Sequence, residues 1–136
     1  MPTTVATEAQ MHTAEEQLEN ARMVLKYWEA HHKGPVNRWD YFTEDARIYF
    51  PTRDDYPIPE KAGPAKEIFK QIGEEYANRG FKYDVEVHSV YTCGPLVILH
   101  RTDIRKVEGQ PDKPVPAVGV FVVKNGKIVG WSDYYR

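Results

Sequence analysis

Residues 116–136, PAVGVFVVKNGKIVGWSDYYR, decide the fold because they contain two strand-like runs joined by a tight turn. Asn125-Gly126 forms that turn, and an Asn-Gly pair between apolar runs is the strongest short-range signal of a β-hairpin. Regular pairing outward from the turn brings to one face Val122 with Val129, Val120 with Trp131, and Val118 with Asp133. Since five of these six residues are apolar, the sequence predicts that this face is buried and that Asp133 is buried with it.

A buried Asp133 requires a partner. An ionised carboxylate beside apolar surface costs several kcal/mol unless an opposite charge or hydrogen-bond donors compensate it. Tyr135 lies on the same face by alternation, whereas Ser132 and Tyr134 point the other way. The partner of Asp133 is therefore expected on a neighbouring strand.

The run LVILHRTDIRKV, residues 96–107, supplies a candidate partner. One of its faces carries Val97, Leu99, Arg101 and Asp103. The opposite face carries Leu96, Ile98, His100 and Ile104 and is equally apolar. Alternation alone does not decide which of the two faces is buried.

If Arg101 faces inward, its guanidinium reaches both Asp103 and Asp133. Desolvation and mutual repulsion between two carboxylates favour one shared proton, which leaves one acid and one base for proton transfer. Two other interpretations stay open. The pair of Arg101 and Asp103 is also typical of a solvated strand surface, and Arg101 with Asp133 is also typical of an ion pair that only stabilises the fold.

The rest of the chain predicts an α+β fold in which about three N-terminal helices pack on a curved, mostly antiparallel sheet that forms a cone around a pocket. Helices are predicted after the capping box of Thr13 and Glu16, around residues 37–45, and over residues 64–80. One short strand, residues 46–50, precedes a proline-rich loop at 51–64, and four long strands follow Gly80. The expected organisation is a flexible tail at residues 1–12 and a single domain at residues 13–136.

Composition narrows the class of protein. The 136 residues carry a net charge of -2, which gives no field for attracting nucleic acid or an anionic membrane. The N-terminal residues lack the features of a signal peptide and no run is long enough to cross a bilayer, so a cytoplasmic protein is expected. Cys93 is the only cysteine, and its pattern favours a small buried strand residue.

Residues 99–136 resemble the C-terminal half of the limonene-1,2-epoxide hydrolase family. In that family an R-x-D strand, a P-V-x-G-V-F strand, a D/N-G-K-I turn and a terminal W-x-D-Y-F/Y follow one another in this order. The corresponding stretches here are R-T-D, P-A-V-G-V-F, N-G-K-I and W-S-D-Y-Y, and the second has Ala117 in the valine position. The resemblance implies the cone fold shared with nuclear transport factor and ketosteroid isomerase, without a metal or an organic cofactor. It also implies that Asp133 is the base that activates water, that Asp103 is the acid that protonates the epoxide, and that Arg101 bridges them.

The resemblance further implies a water site made by a tyrosine and an asparagine two residues apart on the short strand. Tyr49 matches the tyrosine, while the asparagine position falls on Pro51, which has no side-chain hydrogen-bonding group. Asp54, Tyr56 or His88 are the candidates to replace it. Tyr49 is equally compatible with core packing.

The expected activity is hydrolysis of a small hydrophobic epoxide to a vicinal diol in one displacement. Trp131, Tyr135, Val118 and Leu99 are expected to contact the substrate, and packing through an exposed sheet face favours a homodimer. Two alternatives remain. Pro51 favours an isomerase, cyclase or dehydratase acting on a small polyketide-like or terpenoid-like substrate, and the fold also serves non-catalytic ligand-binding modules.

Overall fold

The computed structural model describes residues 12–32, 38–52 and 59–135. Its elements, in chain order, are α1 (Ala14–His32), a 3-10 helix (Arg38–Tyr41), β1 (Phe42–Phe50), β2 (Lys61–Pro64), α2 (Ala65–Arg79), β3 (Lys82–Cys93), β4 (Leu96–Lys106), β5 (Lys113–Lys124) and β6 (Lys127–Tyr135). The six strands form one sheet in the order β2-β1-β6-β5-β4-β3. The predicted α+β class is confirmed.

Strands β3 to β6 form the predicted antiparallel meander, and β1 joins it by pairing in parallel with β6. The parallel contact aligns Ile48 with Trp131 and Tyr49 with Ser132. Because β1 precedes α2 and β6 is the last strand in chain order, this contact places the N-terminal half of the chain beside β6.

Two of the three predicted helices are present. The Thr13 hydroxyl accepts a hydrogen bond from the Glu16 amide at 3.1 Å, which begins α1 as the capping box predicts. Helix α2 follows Pro64 and ends at Gly80, whose φ of 68° is the left-handed conformation that glycine favours.

The helix predicted around residues 37–45 is wrong. Only the 3-10 helix forms there, and Phe42–Phe50 is a strand. Phe42 is opposite Ile128 of β6 and both are buried, so tertiary pairing has overridden the helical spacing of Trp39 and Phe42. The predicted loop at 51–64 is also partly wrong, because its last four residues form β2 on the edge of β1.

The register of the last hairpin differs from the predicted one because β6 contains an irregularity beside the turn. Val123 is opposite Ile128, but Val122 is opposite Gly130, which leaves Val129 as an extra residue. Trp131 is therefore opposite Phe121 instead of Val120, and Asp133 is opposite Gly119 instead of Val118. Val118, Val120 and Val122 consequently lie on the opposite face from Asp133, which corrects their predicted position.

The helices cover one face of the sheet, called the inner face below. Its buried residues pack with those of the helices into one core: Val24, Tyr27, Trp28, Phe42, Ala46, Ile48, Phe50, Ala65, Ile68, Val97, Leu99, Phe121, Val123, Ile128 and Trp131. The other face, called the outer face, is half-buried or exposed along the meander. The site described next therefore lies between sheet and helices.

Three further expectations concern single features. Cys93 is exposed at the end of β3, so the expectation that it is buried is wrong. Except for His12, the predicted tail at residues 1–12 lies outside the described residues, so this division of the chain stays a prediction. Neither α1 nor α2 is sufficiently long and apolar to span a bilayer.

Candidate active site

Strand β4 turns Arg101 and Asp103 to the inner face, and β6 turns Asp133 to the same side. The three residues are 2%, 5% and 2% exposed, respectively, among buried apolar neighbours. The sequence left open which face of β4 is buried. In the structure Leu99 and Arg101 share the buried face, while His100 is exposed. The solvated-surface interpretation of Arg101 and Asp103 does not hold.

Arg101 holds both carboxylates through its planar guanidinium. Its Nε donates to Asp103 Oδ1 at 2.8 Å and its Nη2 donates to Asp103 Oδ2 at 3.2 Å. Toward the other side, Nη1 donates to Asp133 Oδ1 at 3.0 Å and Nη2 donates to Asp133 Oδ2 at 2.7 Å. Both contacts are bidentate, a geometry that lysine could not reproduce.

Asp133 accepts two more hydrogen bonds from its own strand. The Trp131 indole Nε1 donates to Oδ1 at 2.7 Å, and the Tyr135 hydroxyl donates to Oδ2 at 3.1 Å. Residues two apart on a strand share a face, which explains why β6 can present both donors beside the carboxylate. Trp131 and Tyr135, predicted to contact substrate, therefore also contact Asp133.

Arg101 stays a cation in this environment. Burial by itself would lower the pKa of Arg101, but the carboxylates of Asp133 and Asp103 outweigh burial and raise that pKa above its usual value. The guanidinium also lies 5.0 Å from the centre of the Trp28 ring, a cation-π contact from α1. Arg101 can therefore bridge and stabilise negative charge, but it does not supply a proton.

Gly119 of β5 makes room for this cluster. A Cβ atom at Gly119 would lie 2.8 Å from Arg101 Nη1 and 3.1 Å from Asp133 Oδ1. The first distance is too short for a real Cβ atom, and the second is tighter than ordinary van der Waals contact. The glycine in the G-V-F stretch thus lets the guanidinium lie against the sheet between β4 and β6.

The cluster forms one wall of a cavity of about 230 Å³. The cavity is lined by Tyr27, Trp28, Phe50, Phe69, Ile72, Gly73, Tyr76, Tyr83, Val85, Arg101, Asp103, Trp131, Asp133 and Tyr135. Its wall is mostly aromatic, with the charged groups confined to β4 and β6. Such a cavity suits a small apolar molecule that carries one polar atom.

Three predicted site residues lie elsewhere. Leu99 is buried in the core and does not line the cavity. Val118 points to the outer face because of the register described above. Tyr49 also lies on the outer side, opposite Ser132, where its hydroxyl donates to Glu60 Oε2 at 3.2 Å.

Strand β1 therefore gives the cavity no water-positioning tyrosine. Its buried side chains are those of Phe42, Ala46, Ile48 and Phe50, all apolar, and Phe50 lines the cavity. His88 does not replace them, since it is exposed with its Nε2 2.7 Å from Thr102 Oγ1 on the outer face. Asp54 and Tyr56 lie outside the described residues.

Most of the aromatic wall was not predicted from the sequence. Phe69, Ile72 and Tyr76 come from α2 and had a signal, because their helical spacing marks one face. Tyr83 and Val85 of β3 alternate in the same way. Helical spacing and strand alternation do not predict where α2 lies over the sheet. Within the described residues, no three histidine, cysteine or acidic side chains are grouped as metal ligands.

The arrangement contains the groups that proton transfer requires. Two carboxyl groups on one cation offer an acid and a base when one is protonated and the other ionised, and here they lie in the wall of a largely apolar cavity. A non-catalytic module was expected to have a filled pocket or a solvent-facing Arg101, and the structure shows neither.

Comparison with known proteins gives a consistent picture. The family model of the limonene-1,2-epoxide hydrolase catalytic domain matches residues 18–136. A search of curated proteins found no significant match.

Solved structures with the same fold include Bal32a from a soil-derived mobile gene cassette, at 21% identity and a TM-score of 0.70, covering 88% of this chain and 90% of that one. A limonene-epoxide-hydrolase-like epoxide hydrolase of M. tuberculosis has 21% identity and a TM-score of 0.65, with coverage of 89% and 85%. A SnoaL-like protein from Mesorhizobium loti has 20% identity and a TM-score of 0.60, with coverage of 85% and 97%. These similarities confirm the predicted cone fold.

Proposed function

The chain belongs to the limonene-1,2-epoxide hydrolase family, and from that premise we propose that it hydrolyses a small hydrophobic epoxide to a vicinal diol without a cofactor. The observation that supports this most is the buried guanidinium of Arg101, which holds Asp103 and Asp133 in the wall of an apolar cavity. A fold shared with many activities would not by itself support an activity.

In the proposed reaction Asp133 is the base and Asp103 is the acid. A water molecule loses a proton to Asp133 as its oxygen attacks one epoxide carbon. The carbon–oxygen bond of the ring breaks, and the leaving oxygen takes the proton of Asp103. Arg101 stays hydrogen-bonded to both carboxyl groups and stabilises whichever of them is ionised, and a proton returns from Asp133 to Asp103 after the diol leaves.

The substrate is proposed to be small and mostly apolar. The cavity of about 230 Å³ leaves room for a compact molecule, and its aromatic side chains favour hydrocarbon surface. Trp131 and Tyr135 keep their proposed contact with substrate, joined by Phe50 and Phe69 on the facing elements. Leu99 and Val118 are no longer part of that contact.

The test is product analysis in water labelled with heavy oxygen, using cyclohexene oxide and styrene oxide as probes. Label in the diol is expected from the native enzyme. Asp133→Asn and Asp103→Asn should each lower kcat by at least about 100-fold, because an amide neither accepts nor delivers the required proton. Circular dichroism and thermal unfolding of the same samples show whether each variant is folded.

A folded Asp133→Asn variant with native diol formation would remove Asp133 from the mechanism. Tyr134→Phe is the matched control, since Tyr134 is on the same strand but exposed on the outer face. Its kcat should equal that of the native enzyme.

A second candidate is an isomerase, cyclase or dehydratase that moves a proton without adding water. The observation that favours it is the apolar inner side of β1, where Ile48 and Phe50 offer no group to hold a water molecule. The similarity to a SnoaL-like protein is compatible with it. A product without heavy oxygen, formed from a carbonyl substrate, would support this candidate over hydrolysis.

The proposed assembly is a homodimer formed through the outer face. Tyr91 and Tyr134 are 59% and 54% exposed there, next to half-buried aliphatic residues of β4 and β5. Exposed large aromatic side chains on a partly apolar surface are typical of protein interfaces. The cytoplasmic location stays a prediction.

A further inference from the structure

Asp133 is surrounded by donors. Oδ1 accepts from Arg101 Nη1 and Trp131 Nε1, and Oδ2 accepts from Arg101 Nη2 and the Tyr135 hydroxyl. An ionised carboxylate has about four lone-pair positions. Since four donors already occupy these positions, the attacking water can bind Asp133 only if it displaces one of them.

Arg101 and Trp131 are held too firmly for a water molecule to displace them. Arg101 is bound to Asp103 as well, so moving it would break the whole cluster. The Trp131 ring is stacked 4.8 Å from that of Phe121 and meets the Phe50 ring edge-on at 5.0 Å. Both side chains are buried.

Tyr135 differs from them. It is half-buried and is the last residue of β6, and its 3.1 Å contact is the longest of the four to Asp133. It also lines the cavity from which substrate must approach. Its hydroxyl can both donate and accept, as a group that orients water must.

We propose that Tyr135 is a further catalytic residue, whose hydroxyl and Asp133 Oδ2 hold the attacking water between them. The proposal rests on the proposed hydrolysis. The water donates one O–H to Oδ2 and accepts the Tyr135 O–H on one lone pair, which leaves its second lone pair for the epoxide carbon. As that carbon–oxygen bond forms, the proton passes to Asp133, the ring bond breaks and its oxygen takes the proton of Asp103.

This assignment explains how the site works without polar groups from β1. Ile48 and Phe50 turn inward there and Tyr49 turns outward, so the orienting hydroxyl comes from β6 instead. The same strand then supplies the base and the group that orients the water.

The experiment compares Tyr135→Phe with Tyr134→Phe, using cyclohexene oxide and styrene oxide. Tyr135→Phe keeps the ring and removes the hydroxyl, so KM should stay near its native value. We expect kcat to fall by about 100-fold, because the water is no longer held in line with the epoxide. Tyr134→Phe should leave both constants unchanged.

A Tyr135→Phe variant with native kcat would overturn the assignment while leaving the hydrolase proposal intact. An equal fall in both tyrosine variants would also overturn it, since the effect would not be specific to the cavity. Hydrolysis of neither epoxide by the native enzyme counts against the proposed function itself.

A crystal structure of the native protein soaked with pentanamide tests the water position independently of turnover. A water hydrogen-bonded to both Asp133 Oδ2 and the Tyr135 hydroxyl, and missing from Tyr135→Phe, supports the assignment. Its absence beside Asp133 in the native protein overturns the assignment.

Discussion

At Gly119 the lack of a side chain determines whether Arg101 can lie between two carboxylates. The guanidinium occupies the space that a methyl group would take, 2.8 Å from the position of a Cβ atom. Buried ion pairs are strongly sensitive to geometry, because their desolvation is offset only when the hydrogen bonds are well formed. Gly119 is therefore as necessary to the cluster as the charged residues themselves.

Gly119→Ala should displace Arg101 or Asp133 and disable the site. We expect kcat/KM for cyclohexene oxide to fall by about 100-fold and the free energy of unfolding in urea to fall by about 1–3 kcal/mol. Gly130→Ala is the matched control on the adjacent strand, where the nearest atom to a new Cβ would be Val122 Cγ2 at an ordinary 3.6 Å. Similar activity losses in the two variants would show that crowding at Arg101 is not the cause.

At the scale of single elements, β6 shows what the sequence could and could not predict. Alternation placed Trp131, Asp133 and Tyr135 on one face, and the structure agrees. It did not predict the extra residue at Val129, because a bulge depends on tertiary pairing with two neighbouring strands and leaves no mark in the hydrophobic period. Val118 was misplaced for that reason alone.

Strand β1 shows a related limit. Resemblance pointed to Tyr49, but the side that a strand turns inward is decided by its register, and Ile48 aligned with Trp131 fixes Phe50 inward. The helical pattern before it was overridden by the same pairing. Local sequence patterns thus predicted which segments are helices and which are strands in most cases. How one element packs on another could be seen only in the structure.

The edge strand β2 is tied to α2 by an ion pair. Lys61 Nζ lies 2.7 Å from Glu75 Oε1, and the two side chains are only 14% and 26% exposed. Glu75 Oε2 is buried without a hydrogen-bond partner, so Lys61 is the charge that compensates this carboxylate among the described contacts. Because Phe69, Ile72 and Tyr76 of the same helix line the cavity, the pair helps to hold the aromatic wall in place.

Lys61→Met should lower the free energy of unfolding by about 1–3 kcal/mol, since it leaves a half-buried carboxylate uncompensated. Urea denaturation followed by circular dichroism measures this change. Lys106→Met is the control, because Lys106 pairs with Asp84 at an exposed position where such pairs contribute little. A Lys61→Met variant as stable as the native protein would show that β2 does not depend on this contact.

At the scale of the whole molecule, the two faces of the sheet have different surroundings. The inner face is covered by helices and holds the charged cluster, while the outer face of the meander bears exposed Tyr91 and Tyr134. A second copy of the chain packed on the outer face would cover these rings without reaching the cavity. Assembly and activity should therefore respond to separate substitutions.

Tyr134→Glu should convert the proposed homodimer to a monomer, because two carboxylates would be brought together in a largely apolar interface. Light scattering coupled to size-exclusion chromatography measures the mass. Leu18→Glu is the control, since Leu18 is exposed on α1 and lies outside the sheet. A native protein with the mass of one chain, or a Tyr134→Glu variant with the native mass, would count against this interface.

The contact between Trp131 and Asp133 gives the protein an optical reporter of its own. The sequence contains three tryptophans, and both Trp28 and Trp131 line the cavity. Indole emission shifts with the polarity and the charges around the ring, and here the rings lie beside a guanidinium and a carboxylate. Occupation of the cavity should therefore be visible in intrinsic fluorescence without a label, even for molecules that are bound and never transformed.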